Sequence, residues 1–362
     1  MSQFLNPPFA TGALTTTALD PQLDLVPWIG QRAASFRFAR SNGVTGQLFD
    51  EIKPIRTATL SHDTTRTIKR QLTLSLGKDD TAVIEPLTDR IEVFMTMSDG
   101  TEYPLGRYMF TDDSRQVSTS GELADVVLND EMFLVDQQIQ VGINGVGQGV
   151  LATVYDTMAG LPVTLQADPS PYDSTQAWTA GVGRGQVLEA LALEGDYFSP
   201  WFDNNGVMRL IRSFAAFESP VDFNFDYGAK VIRGSITQAS NILTAPNRFI
   251  VISNASDDAS IATVGMADVP PSAPYSFVNR GFYIPQVQDL QVADAAQAHA
   301  IAHNLANRQT VFEETAISSA PDPRHDSYNI ILWRGEKWLE VAWTMNLTPG
   351  GPMTHALRKA YS

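Results

Sequence analysis

The chain has 362 residues, with 40 acidic and 25 basic side chains and a formal net charge of −15. At 43% hydrophobic and 18% charged it is a folded protein rather than a disordered one, and its length calls for two or three cores. The lack of cysteine excludes disulfide staples, thiolate zinc sites and cysteine nucleophiles.

So acidic a surface repels nucleic-acid phosphates over most of its area, which serves either plain solubility or the passage of DNA without sticking. No apolar run reaches the ~20 residues of a membrane helix, and the N-terminus lacks a secretory signal. The sequence therefore reads as a soluble chain made in the cytoplasm, without membrane insertion.

Residues 1–30 hold Pro7, Pro8, Pro21 and Pro27 and end on Trp28 and Ile29. This is an extended N-terminal arm that packs on a neighbouring subunit, or else a disordered leader. From 31 to 135 the period is two: Phe36 and Phe38, then Leu72, Leu74 and Leu76, then Ile91, Val93, Met95 and Met97 each line one face. Turns are expected at 98–101 and 118–122. Strands joined by tight turns with little helix between them predict an antiparallel barrel or sandwich.

Residues 136–218 read as a small α/β domain. Gly145, Gly147 and Gly149 lead into a helix over 150–158 closed by Gly160, and Gly181, Gly183 and Gly185 lead into a second. The echo of Gly145–Gly149 in Gly181–Gly185 has the form of a short internal repeat. In the second helix Val187, Leu188, Leu191 and Ala192 fall at helical spacing, and Gly195 is placed for a left-handed cap. Two strands, 197–202 and 207–212, follow around the turn 203–206, with Pro200 marking the first as an edge or bulged strand.

Residues 219–362 return to β-structure, with a strand at 248–253, a long polar loop at 254–274 and one clear helix at 294–309. Asp294 and Gln297 have capping-box spacing, and Ala298, Ile301, Ala302 and Leu305 form the buried stripe. Strands 311–317, 328–333 and 338–347 complete the region. The last places Leu339, Val341, Trp343, Met345 and Leu347 on one face, after a turn at 334–337.

Chemical motifs are weak throughout. A dinucleotide-binding fingerprint needs a third glycine where Val150 stands, and no P-loop lysine follows either glycine cluster. His299 and His303 are one helical turn apart, but Ala300 stands where a zinc protease carries its general base, so both read as surface or interface histidines. The pairs Asp112/Asp113, Asp257/Asp258 and Glu313/Glu314 point to opposite faces if they lie on strands, unlike a glycosidase pair. There is no serine elbow, and no histidine has an identifiable nucleophile partner. No residue stands out as catalytic, cofactor-binding or metal-ligating.

Four stretches taken in order resemble the hub proteins of bacteriophage tail tips and baseplates, and more narrowly the minor tail proteins of long-tailed phages infecting actinobacteria. They are the run from Pro104 to Phe110, the segment from Trp178 to Gly206, the segment from Ala245 to Ser253, and the helix near Asp294 with the strands up to Gly350, Gly351 and Met353.

The resemblance implies a mainly β chain with α+β insertions: two tail-tube-like β-barrel domains, at 31–135 and 219–362, around the small α/β domain at 136–218. It further implies a homotrimer whose six barrels form a ring at the tail tip of the virion. Its partners would be the distal tail protein, the tape measure protein and tip or fibre proteins, and genomic DNA would pass through without specific binding. No catalytic activity and no cofactor is implied. The competing readings are a carbohydrate- or wall-acting hydrolase, and a carbohydrate-binding adhesin using Trp28, Trp178, Trp201, Trp333, Trp338 or Trp343 as stacking platforms.

Overall fold

Alternating polar and apolar residues build the first seven strands: β1 (Ser35–Asn42), β2 (Leu48–Ile52), β3 (Ala58–Asp63), β4 (Arg70–Gly77), β5 (Asp89–Thr96), β6 (Glu102–Phe110) and β7 (Leu123–Asn129). Leu72, Leu74, Leu76, Ile91, Val93 and Met95 are all buried, as their period demands. At 98–101 Gly100 takes a φ of 84°, and the Thr101 N–H donates to Asp99 Oδ1 at 2.8 Å, which closes the expected turn. The computed structural model describes residues 34–43, 45–53, 58–77, 84–111, 123–226, 231–238, 244–253, 263–309 and 313–362. The expected N-terminal arm, the turn at 118–122, Asp112/Asp113 and Asp257/Asp258 lie outside them.

The middle of the chain supplies α1 (Met132–Val135), β8 (Ile143–Asn144), α2 (Val150–Met158), β9 (Thr164–Ala167), β10 (Ala177–Trp178), α3 (Arg184–Glu194), β11 (Trp201–Phe202) and β12 (Val207–Leu210). Val150, Val154, Val187, Leu188, Leu191, Tyr197, Phe202 and Met208 share one buried cluster. The internal repeat exists, in a different register from the sequence echo. The equivalent left-handed glycines are Gly147 and Gly181, with φ of 74° and 93°, and the helix N-caps are Gly149 and Gly183. β8 and β10 precede these two turns and pair with each other.

The cap after α3 departs from expectation. Gly195 has a φ of −83°, and Asp196 takes the left-handed position at 58°. The Tyr197 N–H reaches back to Ala192 O at 2.7 Å and the Asp196 N–H to Leu193 O at 3.2 Å, a Schellman closure with aspartate at its left-handed residue. Gly195 is needed for space instead: a Cβ there would lie 2.4 Å from the Tyr197 ring and 2.8 Å from Val150 Cγ1. Asp196 in turn holds the Arg212 guanidinium at 2.7 Å.

The last region contains β13 (Phe223–Asn224), β14 (Val231–Gln238), β15 (Arg248–Ser253), β16 (Thr263–Asp268), α4 (Phe277–Arg280), β17 (Pro285–Asp289), α5 (Ala295–Gln309), β18 (Glu313–Ser319), β19 (Ile330–Trp333), β20 (Glu336–Asn346) and β21 (Met353–Lys359). The path β2-β1-β5-β6-β7-β4-β3 runs directly into β20-β21-β18-β14, and with β19 and β13 it makes one sheet of 13 strands. The seam is β3 against β20, where His62 faces Trp343. Two regions far apart in sequence thus share one hydrogen-bond ladder.

Three expectations change. The polar loop at 254–274 contains β16, which pairs antiparallel with β15, and β17 adds in parallel on the other side. This three-stranded sheet is separate from the large one, and α5 packs on it rather than on the large sheet. The turn before β20 is only Arg334 and Gly335, both left-handed at 57° and 73°. Leu339 and Val341 do not share a face with Trp343, because Val341 is the extra residue of a bulge between Glu340 and Ala342.

The α5 stripe is as read: Ala298, Ile301 and Ala302 are fully buried. Its start is a capping pair. The Gln297 N–H donates to Asp294 Oδ1 at 2.8 Å, and Gln297 Oε1 accepts from the Ala293 N–H at 2.7 Å. Buried polar residues on α5 fasten it to the end of α3. Gln297 Nε2 donates to Glu194 O at 3.1 Å and Asn304 Nδ2 to Tyr197 O at 2.8 Å.

Contact between α5 and β16 depends on one glycine, since a Cβ on Gly265 would sit 2.1 Å from the Ala298 carbonyl carbon. Gly265→Ala must therefore push the helix off its sheet. We expect a loss of roughly 2–3 kcal/mol of stability, read from urea unfolding; an unchanged midpoint would contradict this packing.

Candidate functional site

Segment 320–329 joins β18 to β19 and carries Asp322, Arg324, His325, Asp326, Ser327 and Tyr328. It lies over the seam of the large sheet and gathers charged groups from the first and last regions and polar ones from the middle. Arg70 of β4 is buried there. Its Nη2 donates to Asp326 Oδ1 at 2.6 Å, and its Nη1 donates to Asn204 Oδ1 in the turn between β11 and β12. The guanidinium lies 5.6 Å from the Trp343 ring centre. Asp326 Oδ1 also accepts from Trp201 Nε1 at 2.9 Å, and Asn204 Nδ2 donates to Pro323 O at 2.7 Å. The Arg70 backbone N–H donates to Asp130 Oδ2 at 3.1 Å. Burial pushes the Asp130 carboxyl up to about 6, against the pull of these hydrogen bonds and of Arg70. Burial likewise pushes Asp326 up, opposed by the Arg70 charge.

Beside this junction Glu340 stands between two imidazoles. Its Oε2 accepts from His325 Nδ1 at 2.7 Å and its Oε1 from His355 Nδ1 at 2.6 Å. All three side chains are buried, and the His325 ring stacks on Phe223 at 3.8 Å. The bulge at Val341 makes this possible, because it brings Glu340 onto the same face as Trp343 and His355. Burial opposes charge on all three. It is overcome at His325, whose pKa is raised by the Glu340 carboxylate, and at Glu340, which the two imidazoles hold low. It prevails at His355, which is lowered by burial although Glu340 hydrogen-bonds to it. The bridge therefore favours the charged forms of His325 and Glu340 and the neutral form of His355.

The donor set would suit a metal, and among the described residues no other group brings three such atoms together. The geometry does not suit one. Separations of 2.6 and 2.7 Å to two different carboxylate oxygens are charge-assisted hydrogen bonds. A tetrahedral zinc would hold its donor atoms roughly 3.3 Å apart.

Two serines complete the site. Ser319 Oγ lies 2.7 Å from His355 Nε2, and Ser327 Oγ lies 2.8 Å from His62 Nε2. Both pairings correct the expectation that no histidine has a nucleophile partner. Ser319, His355 and Glu340 stand in the order of an acyl-transfer triad. Yet Ser319 is 3% exposed, and its hydroxyl also reaches the Ala320 carbonyl at 2.9 Å. Such a serine works as a tie between strands.

The residues singled out by sequence fall elsewhere. His299 and His303 are exposed on α5, as surface histidines should be. Glu313 and Glu314 point to opposite sides of β18, and Glu313 is paired to Lys359 at 3.0 Å. Trp201, Trp333, Trp338 and Trp343 are buried and Trp178 is half-buried, so none of these offers an open stacking platform. Trp28 lies outside the described residues. The histidines that matter were missed because each sits alone in sequence. The signal available was polar residues at inward strand positions, His62 of β3 and His355 of β21.

No protein-family model matches the chain, and no curated protein matches its sequence. Solved structures do match its fold. A tail protein from Neisseria meningitidis aligns over 91% of this chain and 100% of its own length, with a TM-score of 0.61 and 13% identity. A prophage tail protein from Listeria monocytogenes aligns over 90% and 95%, with a TM-score of 0.59 and 9% identity. The 43 kDa tail protein of prophage MuSo2 from Shewanella oneidensis aligns over 90% and 98%, with a TM-score of 0.55 and 11% identity. The chain has the mainly β fold of these tail proteins, over nearly its whole length.

His62 gives the junction a pH dependence of known sign. Burial, with the Arg70 and Lys69 charges beside it, holds its pKa well below 6.5. Its neutral form contributes stability above the unfolded value, and this is lost as pH falls through the folded value. Between pH 7.5 and 5 the wild type should lose up to roughly 1.4 kcal/mol per pH unit more than His62→Gln. Urea titrations of the two proteins measure the difference directly, because Asp130, His325 and His355 are common to both. Equal slopes would mean that His62 is charged in the fold.

Proposed function

We propose that the chain is a structural hub of a phage tail tip. Three copies form a ring of six β-barrels, two from each chain, that closes the tail tube and lines part of the channel through which DNA is ejected. The hub joins the distal tail and tape measure proteins on one side to tip or fibre proteins on the other, within the virion. The observation that carries this reading is the full-length likeness in fold to phage tail proteins, end to end for the protein from Neisseria meningitidis.

Physical features support it. A hydrogen-bonded seam between β3 and β20 fixes the two β-rich regions rigidly to each other. That is what two ring segments in one polypeptide need if they are to hold a constant angle. A net charge of −15 suits a bore that DNA must not stick to. The ties at Arg70 and Glu340 suit a scaffold that carries load: the first joins the three sequence regions, and the second fastens segment 320–329 to β20 and β21.

Native mass measurement tests the reading. The 39.6 kDa chain should appear in multiples of three copies, and immunogold labelling should mark one end of the tail. A monomer that labels no particle would overturn it.

A second reading is favoured by one observation, the order Ser319–His355–Glu340. If it were a working triad, a fluorophosphonate probe would label Ser319 in the folded protein. We expect no labelling of the native chain and no loss of fold in Ser319→Ala beyond about 1–2 kcal/mol. Labelling at Ser319 would make the protein a hydrolase.

A further inference from the structure

The small three-stranded sheet buries one face and leaves the other bare. Phe249, Val251 and Ala267 are buried in the cluster that packs beneath α5. The alternate residues point the other way, and Val264, Met266 and Val287 are 39%, 46% and 54% exposed. Met266, Ile250 and Val287 stand in register across the three strands. Tyr283 extends this surface to Phe277, whose ring stacks on it at 4.4 Å. A half-solvated sheet ordinarily alternates apolar inside with polar outside, and here both faces are apolar.

We propose that this face is covered by the same face of a second copy of the chain. The first reason is area. The bare side chains present on the order of 500 Å² of apolar surface, at the upper end for any patch on a monomer. A stable contact between identical chains buries about 800 Å² on each, some 65% of it apolar, which is the same amount.

The second reason is charge. Arg248 lies at one end of the face, bound to Asp268 at 2.6 Å, and Asp289 lies at the other end in register with Ile252. A twofold axis across the strands through the row of Met266 reverses one sheet over the other. It sets Arg248 about one strand spacing, ~4.8 Å, to the side of the partner copy's Asp289, across an inter-sheet gap of about 10 Å that the two side chains span together. Two strongly acidic chains can therefore meet here without opposing like charges.

The third reason concerns the mode of contact. Edge strand β17 begins at Pro285, which has no N–H to offer, so this edge is a poor template for strand addition and the open face is the better contact.

The pairing describes the isolated protein, goes beyond the ring reading and is tested apart from it. Val287→Glu places two carboxylates at the proposed axis and should halve the particle mass, from six copies to three if the ring exists, or from two to one if it does not. Association should weaken at least tenfold, with the circular dichroism spectrum of the chain unchanged. Because the chain contains no cysteine, Met266→Cys offers a single thiol. Facing sheets lie about 10 Å apart, beyond the reach of a disulfide, so a short bis-maleimide is the probe. It should join two copies through Met266→Cys and not through Tyr155→Cys, an exposed control on α2. An unchanged mass in Val287→Glu, or equal cross-linking by both cysteine variants, would overturn the pairing.

Discussion

One buried cation holds the three parts of this chain together. Arg70 belongs to the first β-rich region, Asn204 to the middle one and Asp326 to the last, and the guanidinium touches the other two at once. A charge with no exposure is tolerable only when its partners are fixed. Here they are fixed by Trp201 Nε1 on Asp326 and by the Pro323 carbonyl on Asn204. Removing Asp326 would leave the buried guanidinium without the carboxylate that faces it, and segment 320–329 cannot lift without breaking its links to Arg70, Trp201 and Asn204. The planar fork of arginine suits this task as a lysine ammonium would not.

The same segment brings His325 to Glu340, and thereby ties itself to β20 and β21. Glu340 could not be there without the bulge at Val341, which turns it to the side of Trp343 and sends Leu339 to the opposite cluster with Phe198 and Trp201. A single extra residue thus sets the polar side of the seam. The helix α5 does comparable work elsewhere. Gln297 and Asn304 lie buried beside its stripe and donate to the Glu194 carbonyl at the end of α3 and to the Tyr197 carbonyl just beyond it. The chain is fastened repeatedly by polar residues at positions where apolar ones would pack.

That habit explains what was hard to read beforehand. β21 has inward positions Met353, His355 and Leu357, and a histidine in the middle of the triplet broke the apolar alternation that would have marked a strand. β16 is short, holds Gly265 and Asp268, and looks like loop because its glycine serves close approach to α5 and its outer residues face solvent. Propensity alone favours Gly195 as the left-handed cap after α3. Crowding by Tyr197 and Val150 claims that glycine for space, and an aspartate with partners of its own takes the left-handed turn. The candidate site was illegible for a plainer reason. His62, Arg70, Asn204, His325, Glu340 and His355 are scattered over nearly 300 residues, and only pairing of distant strands assembles them.

Composition and period alone determined a great deal: a mainly β chain, the inward faces of β4 and β5, the span of α2, the capped start and buried stripe of α5, and the hairpin turns at glycine. These depend on neighbours within one turn or one strand, where sterics and local hydrogen bonds decide. Tertiary structure decided that β3 pairs with β20, that α5 lies on a small sheet of its own, and that five charged and polar residues meet under segment 320–329. Those outcomes follow from long-range strand register and from the cost of burying charge unpaired, neither of which is written in any local pattern.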